Sequence, residues 1–101
     1  MKLCLAGPIT GYPYHNTPAF TEAAAALRAA GYEVANPREN YGGRTDLSHA
    51  DYMRASIVAL LGCDGVALLE GWTHSEGATL EWRVAKTIGL PVKRWRQWAD
   101  A

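Results

Sequence analysis

Four short segments divide the chain, two of them wholly apolar. Leu3-Cys4-Leu5-Ala6 ends at Gly7-Pro8, and Glu33-Val34-Ala35 ends at Asn36-Pro37. Gly65-Val66-Ala67-Leu68-Leu69 leads into a polar loop, and Pro91-Val92-Lys93-Arg94 leads into a tail holding two tryptophans. Continuous apolar runs of this length predict short strands, the first of them buried. Between the runs, apolar residues recur at helical spacing. Thr17-Pro18 reads as an N-cap followed by proline in the first helical position. It opens a helix over 18–30 with Phe20, Ala23, Ala24 and Leu27 on one face and Gly31 just past its end. A second helix is predicted over 48–61, with Met53, Ile57, Leu60 and Leu61 on one stripe. A third runs over 77–88 and is closed by Gly89, and the tail adds a turn of helix.

The order β-α-β-α-β-α-β predicts a parallel sheet with helices on both faces. Right-handed crossovers then favour the strand order 2-1-3-4. The fold class is α/β: a small doubly wound, Rossmann- or flavodoxin-like three-layer sandwich, forming one domain over residues 1–101. In such sheets the chain reverses between strands 1 and 3, and ligands bind beyond the strand ends at that point.

The two most elaborate loops, 7–16 and 70–77, follow strands 1 and 3, so they are expected to stand side by side there. Gly7-Pro8 alone would end a strand, and Asn16 or Thr17 alone would cap a helix. Neither role accounts for the residues from Ile9 to His15. In the other loop Ser75 can cap the third helix, and Gly77 would let a ligand approach the first-turn amides, where a phosphate or hydroxyl is favoured. Glu81 falls on the same stripe as Val84, Ala85 and Ile88. A carboxylate in a core-facing position is costly unless partnered or partly wet. It is either a functional carboxylate at the pocket floor or a glutamate that escapes to solvent near the helix start.

Charge and cysteine content narrow the ligand. Ten acidic and ten basic side chains cancel, which disfavours duplex nucleic acid as a partner. A small anion held by backbone amides remains compatible with zero net charge. Cys4 and Cys63 have no metal-ligand spacing and read as small buried hydrophobes in a reducing compartment. The first apolar run is too short for a signal peptide, and no run approaches a membrane span. The expectation is a cytoplasmic protein with no membrane partner, no metal and no cofactor.

"LAGPITG" after the first strand, with "CDGVALLEGWTHSEGATLEWRVAKTIGLPV" later, resembles the nucleoside 2-deoxyribosyltransferase-like superfamily over residues 1–93. The similarity is greatest to small members of unknown function, often phage-encoded. The resemblance implies that Glu81 is a nucleophile attacking the anomeric carbon of a 2-deoxyribose and expelling the base. It implies that Ser75, six positions earlier, marks a nucleoside 5′-monophosphate, because relatives acting on free nucleosides carry an acid there. Amides around Ile9 to Gly11 and the Thr10 hydroxyl would complete the phosphate cradle, with Gly7 behind them. Two residues depart from the pattern: Cys4 stands where relatives have tyrosine, and Ser56 where they have aspartate.

Among the remaining candidates, His74 is the best placed of His15, His49 and His74 to protonate a leaving base. Trp72 and one of Tyr12 and Tyr14 are candidates to stack the base, with Tyr41 also in a loop. Arg44 could close over phosphate. Trp95 and Trp98 cover the edge of the core or meet a second subunit, and a homodimer is expected. The sequence therefore points to cleavage or exchange of the N-glycosidic bond of 2′-deoxynucleoside 5′-monophosphates. The alternative is a nucleotide-binding module using the same pocket without catalysis.

Overall fold

The computed structural model describes residues 1–39 and 48–100. Its four strands are β1 (Lys2–Ala6), β2 (Glu33–Ala35), β3 (Gly65–Leu68) and β4 (Val92–Arg94). They form one all-parallel sheet in the order β2-β1-β3-β4, as the sequence predicts. The helices are α1 (Thr17–Ala29), α2 (His49–Leu61), α3 (Glu76–Thr87) and α4 (Trp95–Ala99).

Alternation along the two central strands divides the core into two layers. Leu3, Leu5, Ala67 and Leu69 face α1 and α4, where they meet Phe20, Ala23, Ala24, Leu27, Trp95 and Trp98. Cys4, Ala6, Val66 and Leu68 face the other way, against Leu60 of α2 and Ala78 and Ala85 of α3. The small residues of α1 let that helix lie close on the sheet. Both faces of β1 and β3 are covered, which is why their sequences read as unbroken apolar runs.

The tail settles against the core. Trp98 is buried and donates its indole N–H to the Val66 carbonyl at 2.8 Å. Trp95 is also buried and donates to Glu70 at 3.2 Å. Of the two roles open to these tryptophans, closing the core edge is the one observed. Apolar surface remains elsewhere: Val58 and Leu61 on α2 are 71% and 61% exposed.

Three local expectations change. Thr17 does not cap α1 but is its first residue, and Asn16 occupies the cap position with a left-handed backbone. The Asn16 amide donates instead to the Pro8 carbonyl at 2.8 Å, so it ties the preceding loop rather than the helix. Leu61 does not share the inward stripe of α2, because only Leu60 of this pair can face the sheet one residue apart on a helix. Ile88 is half exposed at the end of α3, and the inward neighbours of Glu81 are Ala78 and Ala85. Ile88 is the cap residue just after α3, beyond its last full turn. Among the described residues, no helix is long and apolar enough to cross a membrane.

The loops after β1 and β3 touch directly. The Leu69 N–H donates to the Ala6 carbonyl at 2.9 Å. A Cβ on Gly7 would lie 2.7 Å from Leu69 Cβ, and one on Gly71 would lie 2.8 Å from the Tyr12 hydroxyl. Gly7→Ala is therefore expected to destabilise the fold by about 1–3 kcal/mol through overpacking against a side-chain root that cannot swing away. Urea denaturation checks this against Gly11→Ala, where a Cβ meets nothing within 4 Å. There only the positive φ of 83° opposes the substitution, and the loss is expected to be nearer 1 kcal/mol.

Candidate functional site

A cavity of about 540 Å³ opens beyond the carboxyl ends of β1 and β3. That volume lies within the range of small-molecule sites. Gly7, Ile9, Thr10, Gly11 and Tyr12 of the first loop line one side. His74, Ser75, Gly77 and Glu81 line another. The structure thus brings together nine of the ten residues singled out from sequence. Trp72 is elsewhere: it packs on Trp82 with ring centroids 5.7 Å apart and lines a separate depression. Both rings pack against the core layer beneath α2 and α3. Of the two tyrosines, Tyr12 reaches the cavity and Tyr14 is 82% exposed. Tyr41 and Arg44 lie outside the described residues.

The first loop is built under local strain. The Tyr12 N–H donates to the Ile9 carbonyl at 3.3 Å, closing a turn whose third residue, Gly11, has the positive φ that a type II turn requires. A short 3-10 segment, Pro13–Asn16, follows, and Tyr14, His15 and Asn16 all have φ between 53° and 60°. Consecutive non-glycine residues in this region are unfavourable by about 1 kcal/mol or more each. The Asn16–Pro8 hydrogen bond and the start of α1 hold them there, and His15 lines the cavity.

The second loop ends at α3. Ser75 Oγ accepts from the Ala78 N–H at 3.1 Å, which makes it the N-cap, as its position suggests. A Cβ on Gly77 would lie 2.9 Å from Met53 Sδ, so α2 packs against the first turn of α3 at this point. From α2 come His49, Tyr52, Met53 and Ser56. Ser48 caps that helix in a reciprocal box with Asp51.

Glu81 is only 7% exposed and lines the cavity. This excludes the alternative of a glutamate escaping to solvent. Burial alone pushes its carboxyl up to about 7 from the usual 4.5, with no offsetting cation among the described residues. The Cys4 thiol sits below it on β1. A hydrogen bond with Cys63, burial and the Glu81 charge hold that thiol well above the ordinary thiol range. Both cysteines are free thiols, and among the described residues no group of histidine, cysteine and acidic side chains could hold a metal.

Several lining residues were not anticipated, Tyr52, Glu76 and Arg38 among them. Arg38 is 8% exposed and reaches the cavity from the segment after β2. Its N–H donates to Asn36 Oδ1 at 3.0 Å, and its Nε donates to Thr17 Oγ1 at 3.3 Å. The next residue, Glu39, is gripped by the two Nη atoms of Arg28 at 3.0 and 2.7 Å. Topology could have flagged this arginine, because it follows the strand that neighbours β1.

The folded protein favours the neutral form of Glu81. Its contribution is therefore complete below about pH 4.5 and is lost as pH rises through about 7. Glu81→Gln keeps the shape without the charge. It is expected to match the parent near pH 4 and to exceed it by up to about 3 kcal/mol at pH 8, read from urea midpoints at both values.

Comparison with known proteins adds a family but no activity. No curated protein matches the chain. A family model described as a domain of unknown function, DUF4406, matches residues 1–94. With nearly its whole length covered by that model, the chain belongs to the DUF4406 family.

Proposed function

We propose that the protein cleaves or exchanges the N-glycosidic bond of 2′-deoxynucleoside 5′-monophosphates, with Glu81 as nucleophile. The observation that carries this reading is a buried carboxylate lining a nucleotide-sized cavity at the switch point of a doubly wound sheet. The resemblance to nucleoside 2-deoxyribosyltransferase-like proteins supplies the chemistry, and the placement of Ser75 beside Glu81 in one cavity supports it.

The first step forms an ester bond between Glu81 and C1′ and breaks the C1′–N bond. The electron pair leaves on the base, which takes a proton from a histidine of the wall: His15, His49 or His74. Water, or a second base, then attacks C1′ and frees the carboxylate. With water the products are free base and 2-deoxyribose 5-phosphate. The low polarity around Glu81 serves this chemistry, since a carboxylate stripped of water is a stronger nucleophile toward a cationic centre. The exposed Val58 and Leu61 of α2 and the half-exposed Leu80 and Ile88 of α3 are apolar surface that the expected homodimer would cover.

Incubation with the four 2′-deoxynucleoside 5′-monophosphates, followed by chromatography, is expected to show free base released. Glu81→Ala should reduce release at least a thousandfold. Tight binding without release, unchanged by that substitution, would instead identify a binding module. Because Glu81 must be ionised to attack, kcat/KM is expected to rise with pH through about 7, the pKa of the free protein.

Ser75→Asp tests the phosphate assignment. Aspartate still caps a helix, but its charge would oppose a phosphate dianion. KM for a monophosphate should rise at least tenfold, with a much smaller change for the unphosphorylated nucleoside.

A further inference from the structure

Arg38 is the only arginine or lysine among the described residues of the cavity wall, and neither the sugar nor the phosphate chemistry above employs it. The Arg38 side chain is mostly buried, yet none of its nitrogens is among the buried atoms of the described residues that lack a partner. Among the described residues, the ion pairs join Arg28 to Glu39 and Arg96 to Glu70 and leave Arg38 out. Its Nε is committed to the neutral Thr17 hydroxyl, and its backbone N–H to Asn36. These contacts fix the root of the side chain, while Nη1 and Nη2 hydrogen-bond no other described residue. Glu81 does not serve as its counter-ion either. Its carboxyl is raised by desolvation alone, whereas an adjacent guanidinium would hold it down.

The strand order places this fork relative to the other subsites. Ser75 follows β3 and Arg38 follows β2, with β1 between them. Two strand spacings separate the ends of β3 and β2, from which these two segments depart, by roughly 10 Å. A nucleoside monophosphate spans such a gap with phosphate at one end and base at the other. With phosphate at Ser75 and the sugar over Glu81, the base extends toward β2. A guanidinium has donors and no acceptor, so it selects an edge with two adjacent acceptors. Guanine presents O6 and N7 in that arrangement; adenine turns an amino group toward the same position, thymine offers O4 alone there, and cytosine has its adjacent acceptors, O2 and N3, on the other edge, beside the glycosidic nitrogen.

We propose that Arg38 is a specificity-determining residue that reads the O6 and N7 acceptors of guanine through its terminal nitrogens, so that the preferred ligand is 2′-deoxyguanosine 5′-monophosphate. The inference rests on the deoxynucleotide reading of the cavity.

The test is calorimetric titration of the Glu81→Gln protein, which binds without turnover, with the four 2′-deoxynucleoside 5′-monophosphates and with 2-deoxyribose 5-phosphate. The guanine nucleotide is expected to bind at least tenfold more tightly than the other three. Adding Arg38→Lys retains the charge and the stem but removes the fork. It should weaken the guanine nucleotide tenfold or more, bring it level with the adenine nucleotide, and leave 2-deoxyribose 5-phosphate within about twofold. Arg38→Ala should do the same, with thermal unfolding confirming that it folds. An equal loss for every ligand, the base-free sugar phosphate included, would place Arg38 on the phosphate and overturn the proposal. So would a guanine preference that survives Arg38→Lys, or one absent from the start. Failure of all five ligands to bind before Arg38 is altered would instead overturn the nucleotide reading, and this inference with it.

Discussion

The parallel pairing of β1 with β3 is the constraint from which the site follows. Four residue pairs, Leu3–Gly65 to Ala6–Leu68, lock the two strands in register. That register ends both strands at the same height, and the Ala6–Leu69 hydrogen bond carries it one step further. Two loops distant in sequence are thereby forced into contact, with Gly7 against Leu69 and Gly71 against Tyr12. A one-residue slip would turn Leu3 and Leu5 toward α3 and would put Cys4 and Ala6 against Phe20. Both core layers would then lose their fit, so the packing of the whole domain enforces the geometry of the cavity.

The same packing sets the electrostatics. Glu81 lies between Ala78 and Ala85 on the face of α3 that covers the sheet, so its carboxyl is desolvated by the core itself. Its neighbour on β1 is the Cys4 thiol, a weak donor. Glu76, at the start of α3, is the other carboxylate of the wall, and Ser56 of α2 brings a hydroxyl to it. An acid at position 56 would drive the pKa of Glu81 higher still. The position of Glu81 and the absence of an acid at 56 are therefore compatible parts of one site. A fold that holds an ionisable group in this state gives up stability near neutral pH.

Much of this was legible in the sequence because it is written in local signals. Apolar run length gave the strands, and proline, glycine and serine gave most helix ends. The β-α alternation gave the strand order and hence the location of the site. Glu81 stood out because a charge on an apolar stripe conflicts with its surroundings. What escaped was decided by tertiary contact. Asn16 looks like a cap, but its amide is drawn to Pro8 across the loop. Trp72 is in a site loop, yet its ring finds Trp82. Arg38 looks like an ordinary loop arginine; only the anchoring of its segment to α1, through Arg28–Glu39 and Thr17, makes it a buried wall residue. Leu61 and Ile88 fit a periodic pattern, but they fall at the last residue of α2 and the cap after α3, where the chain turns away, and both stay exposed.

The Asn16–Pro8 hydrogen bond closes residues 8–16 into a ring. Within it, a left-handed run of three residues has little room to relax. The ring restricts the conformations open to residues 8–16. A ligand of the proposed kind would find little conformational freedom left to freeze on this side of the mouth. Adaptation to ligands of different size must come from other parts of the wall, so this side acts as a fixed template against which a guest is measured.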